Sequence, residues 1–167
     1  MIYIDPIINK YLTLIKDNVG GEIKGFYNGF INQIPASMLP AIIMNIEKTE
    51  AETMSTSEDE HRIGLTLTYV ADIRQSLLEV NGEMPLSAGL NKVLEALVGR
   101  NSDYSLKTNS ILYILRNNLN VDATNNLRTD INSFSVVTPS EVATGRFPGS
   151  YSAEGNIRFN SHFIQLR

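Results

Sequence analysis

The chain has no cysteine, no tryptophan and only two histidines, His61 and His162. Without cysteine there is no disulfide and no thiolate metal site, which fits an intracellular or intracellularly assembled protein. Without tryptophan one common anchor of sugar sites and interfaces is missing. Charge is sparse as well: charged residues make up 19% of the 167 and the net charge is −4. Nothing therefore resembles the basic patch that neutralises nucleic-acid phosphates. No apolar run approaches the ~20 residues that span a bilayer. The apolar start is broken by Asp5 and Pro6 with no basic segment before it, so no signal peptide is expected. What is present is an ordinary hydrophobic share, 43%. It is enough for one domain over residues 1–167 with a sizeable core, and the length is too short for two comfortable ones.

Catalytic signatures are missing too. No Gly-x-Ser-x-Gly elbow, His-Glu-x-x-His, Gly-x-Gly-x-x-Gly or EF-hand loop occurs. GGEIKG, residues 20–25, lacks the spacing and the Lys-Ser/Thr ending of a phosphate loop. Glu50 and Glu52 share one face of a strand by period two, but they lie near the end of an exposed hairpin, where no difference in environment makes one an acid and the other a base. The residues support no catalytic, cofactor-binding or metal-ligating assignment and no enzyme activity.

Hydrophobic periodicity lays out the elements. Asp5 caps a helix with Pro6 in its first turn, and Ile7, Ile8, Tyr11, Leu12 and Ile15 make its apolar face up to Gly20-Gly21. Asn28-Gly29, between Phe26-Tyr27 and Phe30-Ile31, predicts a short hairpin. A strand follows over 41–50, and the cleanest alternation runs from Ile63 to Ile73. Ile63, Leu65, Leu67, Tyr69, Ala71 and Ile73 point one way, while Gly64, Thr66, Thr68, Val70 and Asp72 point to a wet or partner-facing side. Helices are predicted over 85–98, with Leu86, Leu90, Val93, Leu94 and Leu97 buried, and over 108–119, capped by Thr108 or Asn109. Asn117 to Asn126 reads as a loop and 129–137 as a strand. A Gly/Pro/Ser-rich loop covers 138–152. The last strand, 154–166, is expected to bend at a bulge near Ser161, where the apolar set changes face. The sum is an α+β fold: a mixed, largely antiparallel sheet with a long β-hairpin, flanked by helices on one side.

TMSTSEDEHR, residues 53–62, is the densest acidic stretch. Glu58, Asp59 and Glu60 beside His61 have the residue types of a metal site or an acid/base centre. However, the preceding strand loses its apolar character towards this stretch and the next gains it afterwards. That places the acids at a projecting hairpin tip. A metal needs converging ligands with support behind them, and a catalytic carboxylate needs burial or a neighbour. The stretch is therefore expected to be solvated, with contact to a partner as its functional alternative.

The order of elements carries one resemblance. LPAIIMNIEKTEA followed by HRIGLTLTYVADIRQ, then LNKVLEALVG, SILYILRNN and GRFPGSYSAEGNIRFNSHF, resembles the tail terminator (tail-to-head joining) proteins of long-tailed phages over nearly the whole chain. Head-completion proteins and relatives of the tube or baseplate hub have similar texture. The resemblance implies a structural virion protein, assembled in the host cytoplasm. Its copies would form a ring, in that family usually a hexamer, that caps the tail tube, ends its polymerisation and joins the tail to the head. Its partners would be other copies of itself, the tube protein, the sheath where the tail contracts, and a head-completion or neck protein. DNA would pass through without specific binding, no membrane would be involved, and no cofactor would be needed. Contacts are expected from Glu58, Asp59, Glu60, Thr66 and Thr68 on the long hairpin. Arg146, Phe147 and Arg158 are expected to supply others, with the two arginines turned to subunit or tube contacts and away from the channel. The other class of reading is a monomeric α+β enzyme or ligand-binding module with a site at the loop ends.

Overall fold

The computed structural model describes residues 5–29, 31, 33–72, 86–137, 143–144 and 151–166, and the side chains of 86–90, 143–144 and 151 lie outside that description. Helix α1 spans Pro6–Val19. Asp5 caps it as expected, its carboxylate accepting from the backbone N–H groups of Ile7 and Ile8. Strand β1, Gly25–Asn28, a 3₁₀ turn, Ala36–Met38, and two long strands follow: β2, Ala41–Thr53, and β3, Glu58–Asp72. Helices α2, Leu86–Val98, and α3, Ile111–Asn117, precede five more strands. These are β4, Asn120–Asp122, β5, Leu127–Thr129, β6, Ser135–Val137, β7, Ala143–Thr144, and β8, Tyr151–Leu166.

Among the described residues the strands form one sheet ordered β1-β2-β3-β8-β5-β4, with β6 and β7 also paired to β8. β1 joins β2 in parallel and every other pairing is antiparallel. The fold is therefore α+β with a mixed, largely antiparallel sheet.

Alternation decides which face of the sheet is covered. Ile63, Leu65, Leu67, Tyr69 and Ala71 of β3 are all buried, together with Ile42 and Met44 of β2 and Ile157 and Phe159 of β8. They form one cluster with Ile8, Tyr11, Leu12 and Ile15 of α1, Val93 and Leu97 of α2, and Ile111, Leu112 and Leu115 of α3. The described helices thus lie on one face. α2 comes so near that a Cβ on Gly155 would stand 2.4 Å from Val93 Cγ1. Among the described residues, the opposite face is covered at one end by Ile34 and Leu39, which pack on Ala41, Ile43 and Val70.

Several sequence expectations change. Asn28-Gly29 turns no hairpin: β1 runs parallel to β2, and Gly29, at φ +92°, donates its N–H to the Met44 carbonyl. A parallel neighbour requires the chain to cross over, which the segment through the 3₁₀ turn does. Leu94 is exposed, so the buried side of α2 is narrower than its leucines suggested. Leu86 and Leu90 lie outside the described side chains, and Ile73 outside the described residues. Helix α3 begins after Ser110, not Thr108 or Asn109; Ser110 Oγ donates back to the Lys107 carbonyl. The Asn-rich segment is a hairpin, β4–β5, closed by Asp122 accepting from the Thr124 N–H, with Asn126 left-handed at φ 53°. The strand expected over 129–137 is interrupted by a turn in which the Asp130 side chain accepts from the Asn132 N–H. β8 has no bulge, because its register with β3 is unbroken from Ser152 to Leu166. Ile157, Phe159, Ser161 and Phe163 keep one face throughout, and Ile164 and Leu166 are simply exposed on the other. The irregularity lies instead in β2, between Ile46 and Lys48.

Candidate functional site

β2, β3 and β8 are 13, 15 and 16 residues long, while β1 pairs with β2 only as far as Met44 and β5 meets β8 only at Ser161 and His162. Beyond those rungs three strands continue as an arm. All of β2 from Glu47 to Thr53 is exposed or nearly so. The turn at its end is Met54 to Ser57, closed by the N–H groups of Met54 and Ser55 donating to the Glu58 carbonyl.

Glu58, Asp59 and Glu60 are therefore not the tip. They open β3, opposite Thr53 and Glu52 on one side and Leu166, Gln165 and Ile164 on the other, and they are half-buried. The turn occupies the four residues before the acidic stretch, with the small run Ser55-Thr56-Ser57, whose short side chains suit a tight turn better than the charged residues do. The carboxylates do not converge. Asp59 shares the face of His61 and Ile63, while Glu60 and Arg62 share the opposite face. His61 stacks on Phe163, ring centroids 4.7 Å apart and nearly parallel, as a directly opposed cross-strand pair. Arg62 Nη2 donates to Glu60 Oε2 at 2.9 Å and lies 3.9 Å from Glu52 Oε2. The hydrogen bond and charge of Glu60 hold the guanidinium firmly protonated. Among the described residues no group of three or more His, Asp or Glu is arranged to hold a metal ion.

Residues 47–62 contain six acids (Glu47, Glu50, Glu52, Glu58, Asp59, Glu60) and two bases (Lys48, Arg62), a net of −4. That equals the net charge of the whole chain, so the remainder balances to zero. The arm carries the charge asymmetry of the molecule.

Closer to the core, on the face away from the helices, Thr66 stands between Asn45 and Arg158, and Thr68 between Ile43 and Asn156. Thr66 is 8% exposed and its Oγ1 has no hydrogen-bond partner among the described residues, nor have Asn45 Oδ1 and Asn156 Oδ1. Val70 of the same set is buried beneath Ile34 and Leu39, so the second face of β3 is only partly the wet side expected. Arg158 is exposed on this face, its Nε 3.5 Å from Glu47 Oε1. Arg146 and Phe147 lie outside the described residues. Thr66, Thr68 and Arg158 thus share one surface; the acids divide between that face and the helix side.

Two of the cavities beside the sheet bear on a ligand-binding reading. One, about 1040 Å³, is lined by Glu22, Lys24, Tyr69, Asp72, Lys92 and Glu95 among others. Two of its charges are engaged: Lys92 donates to the Asp72 carbonyl and Glu95 pairs with Lys107. Tyr69 is pushed up to about 12 by burial and by the charge of Glu22, so it stays a neutral phenol at physiological pH. The other, about 520 Å³, is an apolar groove beside the end of β8 with Pro6, Ile7, Leu127 and Phe163 in its walls. Neither cavity was legible in the sequence, because each is assembled from three or more separated segments. No described helix is long and apolar enough to cross a membrane. The sequence matches no protein-family model, and no curated protein sequence matches it significantly.

Proposed function

We propose that this chain is a structural subunit of a phage tail, a terminator whose copies form a ring that caps the tail tube and joins it to the head. The observation that supports this best is the arm: three long strands that outrun the strands flanking them and carry the molecule's net charge. A sheet extended past its own core, with Ile164 38% and Leu166 73% exposed, has the makings of a contact surface. The resemblance in element order supplies the identity of the contact. Its partners on this reading are its own copies, the tube protein, the sheath in a contractile tail, and a neck protein. The acidic balance agrees with a channel that lets DNA slide, since like charge keeps phosphates from binding.

Interrupting the gene in the genome that encodes it provides the test. The expected result is headless tails of unregulated length; normal-length tails joined to heads would overturn the reading. Tight binding of duplex DNA to the purified chain at low salt would overturn the non-stick channel separately.

A ligand-binding module is the second reading, supported by the cavity of about 1040 Å³ over Tyr69. Its charges, two basic and three acidic, are of mixed sign and favour no ligand class, which leaves the assembly reading ahead.

A further inference from the structure

Two stretches of arm backbone have no strand beside them among the described residues. Past Met44, β2 has left β1 behind, and from Lys48 to Glu52 it pairs only with β3. Past His162, β8 has left β5 behind, and from Phe163 to Leu166 it too pairs only with β3. β3 lies between them, so these edges are on opposite sides of the arm. Both strands are antiparallel to β3, so they run in the same direction.

The edges differ in character. β2 presents Lys48, Glu50 and Glu52, whereas residues 160–166 contain no Lys, Arg, Asp or Glu. Charges along an edge are a usual defence against uncontrolled strand pairing. The β8 edge has no such defence, and its Ile164 and Leu166 are exposed.

We propose that the β8 edge of one copy pairs in parallel with the β2 edge of a second copy, so that the sheet continues from subunit to subunit. This rests on the ring reading and specifies how the ring is joined. Each copy has one edge of each kind, and a contact between two different patches is what a closed ring or filament requires. The side chains are compatible. Phe163 and Gln165 share the sheet face of Thr49 and Ala51, whose small side chains leave room for the ring of Phe163. Ile164 and Leu166 share the face of Lys48, Glu50 and Glu52, whose aliphatic stems can cover apolar surface. Pairing β2 with β2 would set rows of the same charged residues together. Pairing β8 with β8 would stop at a dimer and leave β2 unused.

The experiment is sedimentation of the full chain from micromolar to millimolar concentration. Two double variants at exposed positions each block one edge: I164E/L166E on β8, which sets like charge against Glu50 and Glu52, and T49K/A51K on β2, which sets charge and bulk against Phe163. Circular dichroism melting checks that each folds like the parent. The parent should associate beyond a dimer, and each variant alone should associate roughly tenfold more weakly or worse. An equal mixture retains one good edge on each partner and should stop at a heterodimer. Several outcomes overturn the proposal: a parent that stays monomeric throughout, a β8 variant that associates like the parent, or a T49K/A51K variant that forms homodimers while the mixture restores nothing. Association through some other surface defeats edge pairing but leaves the ring reading intact. Edge pairing in a chain whose loss does not alter tail length defeats the tail reading alone.

Discussion

Tyr11 on α1 donates its phenolic hydrogen to Ser161 Oγ on β8 at 2.8 Å, 150 residues away in sequence. Ser161 Oγ in turn donates to the Arg128 carbonyl at 2.9 Å, and Thr129 Oγ1 lies 2.7 Å from the Tyr11 oxygen. With the phenol's one hydrogen given to Ser161, Thr129 must be its donor, and the chain Thr129–Tyr11–Ser161–Arg128 closes. All three side chains are buried, and the Tyr11 ring also packs on Phe159 at 5.2 Å. The network pins the first helix to the last strand and to β5. Burial raises the Tyr11 pKa despite these hydrogen bonds.

Removing the hydroxyl while keeping the ring tests this. Tyr11→Phe leaves Thr129 Oγ1 without its acceptor and Ser161 Oγ without one of its partners in a dry site. The expected loss is about 1–3 kcal/mol in urea unfolding, the usual cost of a stranded buried polar group. A change under about 0.5 kcal/mol, as at an ordinary surface position, would mean the network contributes nothing net.

The two faces of β3 should respond in opposite ways. Leu67 is 0% exposed, and Leu67→Ala should cost about 2–5 kcal/mol through lost transfer energy and the cavity left behind. Thr66, one residue away, has a buried hydroxyl with no partner among the described residues. Thr66→Val keeps its shape and removes a group that gains nothing by being buried. It should therefore be neutral or stabilising in the isolated chain. A Thr66→Val loss comparable with that of Leu67→Ala would show that Oγ1 has a partner in solution.

The long alternating strand was legible in sequence because its two faces differ in residue type, apolar towards the helices and mostly polar or small on the other. Ile63 to Ala71 carry that signal residue by residue, and α1 announced itself through Asp5, Pro6 and its apolar stripe. Short elements were not legible. β4, β5 and β6 are three residues each, too short for periodicity; β5 and β6 exist because β8 offers them an edge, and β4 because β5 does. β1 misled for a related reason: Asn28-Gly29 satisfies a local turn rule, but a parallel partner sixteen residues later took the strand. The arm itself was visible as a hairpin. That β8 accompanies it to the end, and that two edges are left open, depends on pairings no local pattern encodes.

The acids of β3 should matter little to the isolated fold. Glu60 is bonded to Arg62, but that guanidinium is well exposed, and exposed pairs are screened by water and salt. Replacing Glu58, Asp59 and Glu60 together by Ser should move Tm by no more than about 2 °C, as for surface changes in a chain of this size. Added divalent metal should leave Tm of the parent where it was. A fall several times larger, or a metal-dependent Tm, would return these residues to the list of candidate metal or structural groups.

Acid should weaken the fold through Asp122. Its carboxyl is held down to about 2, first by the Asn125 side-chain amide and then by Lys10, whose ammonium lies 3.0 Å away. An unfolded aspartate titrates near roughly 3.9. The folded value is depressed, so the charged form is favoured by folding. Its contribution is complete above the unfolded value and is lost as pH falls through the folded one. The window is thus from about pH 4 down to about pH 2. Asp122→Asn should lower stability at neutral pH and flatten the dependence in that window, because the variant has no proton to take up. Lys10→Met should do part of the same, since it removes one of the two groups that hold the carboxylate ionised while leaving Asn125 in place. Urea titrations of the parent and both variants at pH 7, 4 and 2.5 measure the three slopes. If Asp122→Asn keeps the parent's slope between the two lower values, the acid sensitivity belongs to other carboxylates, and the Lys10–Asp122 contact between α1 and β4 does not persist in solution.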